Sequence, residues 1–399
     1  MKKILKIMTS VICAAAFIVS MSAVCFAASD GTTADAVRFN SDGKLNIMHV
    51  TDTHLSAENL DDSVYLIGDA CDREQPDIVI LTGDIAMADT VEETFRKTDA
   101  LMNVFEKRGI PAAVTFGNHD SESGVISRED LMAHYNGFSC SVSVDDGELL
   151  PGCGTYNIPV LGSDGDSVKF NLWVFDSGDY DGEGHYANVL EEQVDWYVQK
   201  SQALEAENGR KIYSLAFQHI IVPEIYDALK EVKLHGAYTY PHIYDDTRYF
   251  AFDPAAENHG MLHEYPCPGY YNHGQFEAMV ERGDVLAMFT GHDHTNAFSV
   301  KYKGIDIVNS LSTRYNGDAF STQYGYRMIT VDENDPSVYE TRAVHWYDFY
   351  DSADILSGCG GNAKLVSKVA FLGRIQKAAQ IIAIIVVELF SGRTVKYPG

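Results

Sequence analysis

Basic residues are scarce in this chain: 30 Lys and Arg stand against 57 Asp and Glu, a formal net charge of −27 over 399 residues. The few positive charges also gather at the ends. Lys2, Lys3 and Lys6 lie in the first segment, and residues 360–399 carry six Lys and Arg against Glu388; setting both aside leaves about −35 on the body. Such a surface repels polyanions, so extended nucleic acid is not an expected partner. Small phosphoesters are still admitted, because bound cations reverse the field locally.

Cysteine is sparse as well, with seven in all. Apart from Cys13 and Cys25 there remain Cys71, Cys140, Cys153, Cys267 and Cys359, an odd set that allows at most two bridges. Cys140 and Cys153 bracket a short Gly/Asp-rich loop and are the first choice for a disulfide, with isolated reduced thiols as the alternative. Internal repeats and low-complexity linkers are missing. An apolar fraction of 46% is ordinary for a globular protein, and the length fits one large α/β domain or two smaller ones.

Long apolar runs are confined to the termini. Lys2, Lys3 and Lys6 precede an apolar stretch from about Ile7 to Val24, and Cys25-Phe26-Ala27 supplies small residues at the −3 and −1 positions. Residues 1–27 therefore read as a signal peptide, which predicts a secreted or cell-surface protein, with an uncleaved anchor as the rival. Ala378–Val387 is apolar but too short to cross a bilayer comfortably, and it is flanked by Lys364, Lys368, Arg374, Lys377, Arg393 and Lys396. This tail, 351–399, is expected either to associate weakly with an anionic membrane surface or to be buried.

Between the termini, strands and helices alternate. Strands are expected at Leu45–Thr51, Asp77–Thr82 and Pro111–Phe116, separated by helices at Asp62–Arg73 and Val91–Lys107. This opening implies a parallel sheet. Further on, strands are expected at Lys169–Phe175, Lys211–Phe217 and Val285–Thr290, with helices at Leu190–Glu207 and Gln275–Arg282. Ala297–Val300, Ile305–Val308, Tyr326–Val331 and Arg342–Tyr347 read as antiparallel strands. The stretch 221–272 is long and rich in Tyr, His, Pro and Asp, which suggests a folded lid or rim.

Five short islands end apolar runs with metal-binding side chains. They are Asp52-Thr53-His54, Gly83-Asp84, Gly117-Asn118-His119-Asp120, His219 and Gly291-His292-Asp293-His294. Ligands gather beyond the carboxyl ends of strands in open α/β sheets, so the islands should converge. Carboxylate, amide oxygen and imidazole suit borderline or hard cations, namely Zn, Mn, Fe or Ni. His219 competes with His235, His242, His259, His263 and His273, and is preferred because it ends a clear apolar strand.

Taken together, the islands resemble the calcineurin-like metallophosphoesterases, a superfamily that includes the purple acid phosphatases, over about residues 45–347. The resemblance implies a four-layer α/β/β/α sandwich of two mixed sheets with flanking helices, occupying 28–350. It implies two divalent or trivalent metal ions: Asp52, His54 and His294 on the first, Asn118, His219 and His292 on the second, and Asp84 on both. His119 would face the leaving group, oriented by Asp120. A small phosphate monoester or diester would be cleaved by a hydroxide bridging the two ions. A metal-binding cell-envelope protein of the same fold without turnover is the alternative. Two departures stand out. His54 replaces the Tyr of purple acid phosphatases, so no coloured iron centre is implied, and Met87 occupies a position often acidic in the family.

Overall fold

A computed structural model describes residues 36–349, apart from 87, 145–149, 234, 237 and 315–323. The expected signal segment, the basic tail, Cys359 and Met87 lie outside the described residues.

The opening follows the expected alternation: β1 (Lys44–Val50), α1 (Leu60–Glu74), β2 (Ile78–Thr82), α2 (Val91–Glu106) and β3 (Ala112–Thr115). The three strands pair in parallel, and β2 is buried on both faces, as its unbroken Ile-Val-Ile-Leu-Thr run demands. Thr90 starts α2 by accepting the Glu93 N–H at 3.2 Å. Next come α3 (Arg128–Tyr135), β4 (Tyr156–Leu161), β5 (Val168–Val174), α4 (Glu191–Asn208) and β6 (Ser214–Phe217). The later part of the chain holds α5 (Ile225–Ala228), β7 (Lys230–Val232), β8 (Tyr240–His242), β9 (Asp245–Ala251), β10 (Asn258–Met261) and α6 (Gln275–Arg282). It closes with β11 (Val285–Thr290), β12 (Ala297–Tyr302), β13 (Ile305–Asn309), β14 (Gly325–Asp332), β15 (Asp335–His345) and α7 (Trp346–Phe349).

Two large mixed sheets result, ordered β15-β14-β1-β2-β3 and β10-β12-β13-β11-β6-β5-β4. Their strands alternate apolar side chains between faces. Ile47, Ile80 and Ile329 of the first sheet meet Leu215, Phe217 and Phe289 of the second in a core between them. On the outer faces, Met48, Val79 and Leu81 pack under Leu66 and Phe105 of the first helices. Trp173 and Met288 pack under Tyr197 and Phe276 of α4 and α6. Three apolar layers separating helix, sheet, sheet and helix make the four-layer sandwich that the resemblance implied.

Several expectations are corrected. β13 pairs in parallel with β11 and antiparallel only with β12, so the late strands are not all antiparallel. The last strand begins at Asp335 rather than Arg342, and Trp346 opens a helical turn. β15 lies on a sheet edge with Val344 its one buried residue, so no buried apolar alternation announces it. Cys140 and Cys153 are not bridged to each other, and both are buried. The stretch 221–272 is folded: β7, β9 and β8 make a small antiparallel sheet, and β10 extends the large one. Its aromatics fasten it, Tyr226 donating to the Pro266 carbonyl at 2.6 Å and Tyr244 to that of Pro268 at 3.0 Å. Among the described residues, no helix is long and apolar enough to cross a membrane.

Candidate metal centre

Every island sits just beyond the carboxyl end of a parallel strand. Asp52 and His54 follow β1, Asp84 follows β2, and Asn118 and His119 follow β3, all in one sheet; His219 follows β6 and His292 and His294 follow β11 in the other. The sheets are joined at this edge. His292 N–H donates to Asp52 Oδ2 at 3.0 Å, His219 Nδ1 bonds the Thr82 carbonyl at 2.8 Å, and Thr313 N–H donates to the Thr51 carbonyl at 2.8 Å.

The backbone turns hard to make this convergence. Of seven non-glycine residues with positive φ among the described residues, four are Asp52 (53°), His54 (42°), Asp84 (52°) and His292 (70°). Each costs on the order of 1 kcal/mol, and such strain collects where a site dictates side-chain direction. Gly83, at φ 84°, lies against the next loop so closely that a Cβ there would stand 2.0 Å from the Gly117 nitrogen.

Two groups of ligand atoms emerge, Asp52, His54, Asp84 and His294 in one and Asp84, His219 and His292 in the other, each within 4.8 Å of one another. Asp84 belongs to both. Within them, His54 Nε2 and His294 Nε2 are 2.9 Å apart, His294 Nε2 and Asp52 Oδ1 3.4 Å, and His219 Nε2 and Asp84 Oδ2 3.3 Å. Asn118 joins the second group, its Oδ1 3.2 Å from His219 Nε2. The seven expected ligands are thus brought together. Asp52 Oδ1, Asp84 Oδ2 and His292 Nε2 are buried with no hydrogen-bond partner, a costly state that a cation shared among them relieves. The donor set fits two ions.

Protonation points the same way. Burial lowers His54 to about 4 and His292 to about 3, leaving neutral imidazoles, the ligand form. Burial opposes the ionisation of Asp52 and Asp84, but the surrounding histidines together outweigh it, His219 and His294 for Asp52 and His219, His54 and His119 for Asp84, and both are held below the usual carboxylate range. For His219, burial is in turn outweighed by Asp84 and Asp52, which lift it to about 9. As a ligand of a metal ion His219 would have to be in its neutral form.

His119 stands outside both groups. Its backbone N–H donates to Asp84 Oδ1 at 2.8 Å, and its ring centroid lies 5.7 Å from that of His54. The partner of its Nδ1 is Glu122, not Asp120. This corrects the expectation that Asp120 orients His119. The Asp120 carboxylate instead accepts the backbone N–H groups of Asp84 and Gly117 at 2.8 Å and of Ile85 at 2.9 Å, fastening two ligand loops together. A carboxylate one residue away along a turn is held by the local amides, whereas one three residues on reaches back to the ring. Glu122 carried no sequence signal beyond that spacing.

Other supports appear only in three dimensions. Asn118 Nδ2 donates to the Tyr180 hydroxyl at 3.0 Å, and Tyr186 sets its ring edge-on to His292 at 4.3 Å. Asp176 and Ser177 brace the site: Ser177 Oγ accepts the Ile220 N–H at 3.0 Å, and Asp176 grips Arg128, which donates to the Gly117 carbonyl at 2.8 Å. Cys267, His292 and Asp293 form a third grouping, but Asp293 spends its oxygens on the Cys267 N–H and the Asn296 amide. Through Cys267 and Glu264, which accepts the Thr295 N–H at 2.6 Å, the 221–272 stretch and the residues just after it form a rim on the last ligand loop. His235, His242, His259, His263 and His273 take no part in either ligand group.

With this geometry in view, comparison with known proteins decides the family. The calcineurin-like phosphoesterase profile matches residues 45–296. The chain belongs to that family. Its relatives include an Arabidopsis thaliana protein named probable inactive purple acid phosphatase 14, 28% identical over 70% of this chain and 73% of that one. Another is probable inactive purple acid phosphatase 29 of the same plant, 25% identical over 68% of this chain and 72% of that one. Among solved structures, a dimetal phosphatase from Danio rerio is similar at a TM-score of 0.46 and 12% identity, covering 74% of this chain and 98% of that one. As a calcineurin-like phosphoesterase, the chain has the metallophosphoesterase fold, and its His/Asp cluster could hold the two metal ions that the family binds.

Proposed function

We propose that this protein hydrolyses small phosphate esters at the centre built around Asp84. The observation that carries the reading is the pair of ligand groups sharing that carboxylate, with buried, unpartnered atoms on Asp52, Asp84 and His292. Asp52, His54, Asp84 and His294 would hold one ion, and Asp84, Asn118, His219 and His292 the other. Two such ions, Zn, Mn, Fe or Ni, supply Lewis-acid polarisation of the phosphoryl group and a nucleophile from water at neutral pH. No Ser or Cys nucleophile is required of the protein.

The chain's own residues do the rest. His119, part-exposed beside the centre, carries a proton to the departing alkoxide, and Glu122 fixes its ring. A cavity of about 260 Å³ beside it, lined by Asp89, Glu93, Lys97, His119 and Glu122, accommodates a small leaving group. Asp120 and Arg128 keep the ligand loops in register. Residues 1–27 direct export and the tail associates with membrane, so the reaction is proposed to run outside the cytoplasm.

The test is a panel of aryl phosphate mono- and diesters with the mature protein loaded with Mn or Zn. Two metals per chain and chelator-sensitive turnover are expected. A second reading, a metal-binding envelope protein without turnover, is favoured by the word inactive in the names of the plant relatives. Two bound metals with no turnover on any ester would decide for it.

A further inference from the structure

The segment after β13 returns to the metal centre. Ser312 Oγ donates to the Asp52 carbonyl at 2.9 Å, and Thr313 exchanges two hydrogen bonds with Thr51, through its N–H at 2.8 Å and its Oγ1 at 3.2 Å. Arg314 therefore leaves the backbone beside the Asp52–His54 loop. Its carbonyl is held from the other side by Trp346 Nε1 at 3.1 Å.

The guanidinium has no such tether. Its Nε is buried without a hydrogen-bond partner. Among the described arginines it alone makes no side-chain hydrogen bond or ion pair. In a chain with 57 acidic residues, an arginine near a carboxylate-rich centre that stays unpaired lacks an anion. The nearby cations differ: Lys97 is 3.3 Å from Glu93, and Arg128 is 2.6 Å from Asp176.

We propose that Arg314 binds the phosphoryl oxygens of the substrate and biases the centre toward phosphate monoesters; this rests on the hydrolase reading above. A guanidinium presents planar, paired N–H donors that match phosphate oxygens. A monoester dianion brings two charges and three non-bridging oxygens, a diester one charge and two. The same cation therefore contributes more to the monoester. Because the side chain hydrogen-bonds no partner among the described residues, replacing it leaves the fold and the ligand loops intact.

The experiment compares the metal-loaded full chain with Arg314→Gln and Arg314→Lys. It reads inorganic phosphate affinity by calorimetry, and kcat/KM on p-nitrophenyl phosphate and on bis(p-nitrophenyl) phosphate. Arg314→Gln should weaken phosphate binding and lower monoester kcat/KM, each by about 10- to 100-fold, the worth of a charged hydrogen bond. Diester kcat/KM should fall by only about 3- to 10-fold, half the free energy on the charge argument, and Lys should recover part of the loss. Metal content and Tm should stay at wild-type values. Unchanged phosphate affinity, an equal loss on both esters, or loss of metal in Arg314→Gln would each overturn the role of Arg314 alone. Wild-type protein that binds no phosphate and cleaves neither ester would overturn the hydrolase reading, and this inference with it.

Discussion

Gly291 offers a way to disturb the metal centre without removing a ligand. Its φ is not in the left-handed region, so alanine there meets no backbone penalty, only what stands in front of it. A Cβ would lie 2.0 Å from Thr51 Oγ1 and 2.4 Å from Asp52 Oδ2, each at least about 1 Å inside van der Waals contact. Thr51 cannot easily swing aside, because its hydroxyl is buried between Asp52 Oδ2 at 2.7 Å and the Thr82 carbonyl at 3.2 Å. The Asp52 carboxylate is left to move by roughly 1 Å, whereas ligand distances tolerate only about 0.2 Å. Gly291→Ala is therefore expected to cost about 1–3 kcal/mol in overpacking, lower Tm by a few degrees, and release the ion held by Asp52, His54 and His294. Elemental analysis after desalting should fall from two metals per chain toward one, and turnover should drop by about 100-fold or more. Gly165→Ala is the control, since nothing lies within 4 Å of the added carbon. If Gly291→Ala keeps two tightly held metals and wild-type turnover, the placement of Asp52 on an ion is wrong.

Other outcomes follow from the same geometry. Asp84→Asn should strip both ions, because Asp84 alone serves both groups, and elemental analysis of that variant should read well below one metal per chain. His119→Ala and Glu122→Gln should each keep two metals while turnover falls, by about 100-fold or more for His119 and less for Glu122; metal loss in His119→Ala would place that ring among the ligands instead. His49 is buried between Ser310 Oγ at 2.8 Å and Thr82 Oγ1 at 2.7 Å, and burial lowers it to about 3. Its folded pKa lies below the ordinary 6.5, so the unfolded chain takes up the proton first and stability falls as pH drops from about 6.5 toward 3. The contribution approaches 1.4 kcal/mol per pH unit, and chemical denaturation of His49→Gln should show an acid limb shallower by that slope.

What the sequence by itself determined was the reaction centre's parts and the frame that carries them. The seven candidate ligands could be read because each ends an apolar strand run, and strand ends at one edge of a parallel sheet must meet. The opening strands and helices were legible for a similar reason, since burial on a known face imposes a local period. Only the tertiary structure decided the partners. The parallel pairing of β13 with β11, the exposed edge strand β15, and the small sheet within 221–272 arise from contacts far apart in the chain. So does the separation of Cys140 and Cys153, which are not bridged to each other despite their spacing. Asp120 looked like the companion of His119 because they are neighbours in sequence, yet its oxygens satisfy three amides of converging loops, and Glu122 takes the ring. Tyr180 and Arg128 reach the candidate ligand loops from segments that carry no candidate ligand. Ligand identity is a property of one residue and its strand, while orientation and charge are set by whatever the folded sheets bring alongside it.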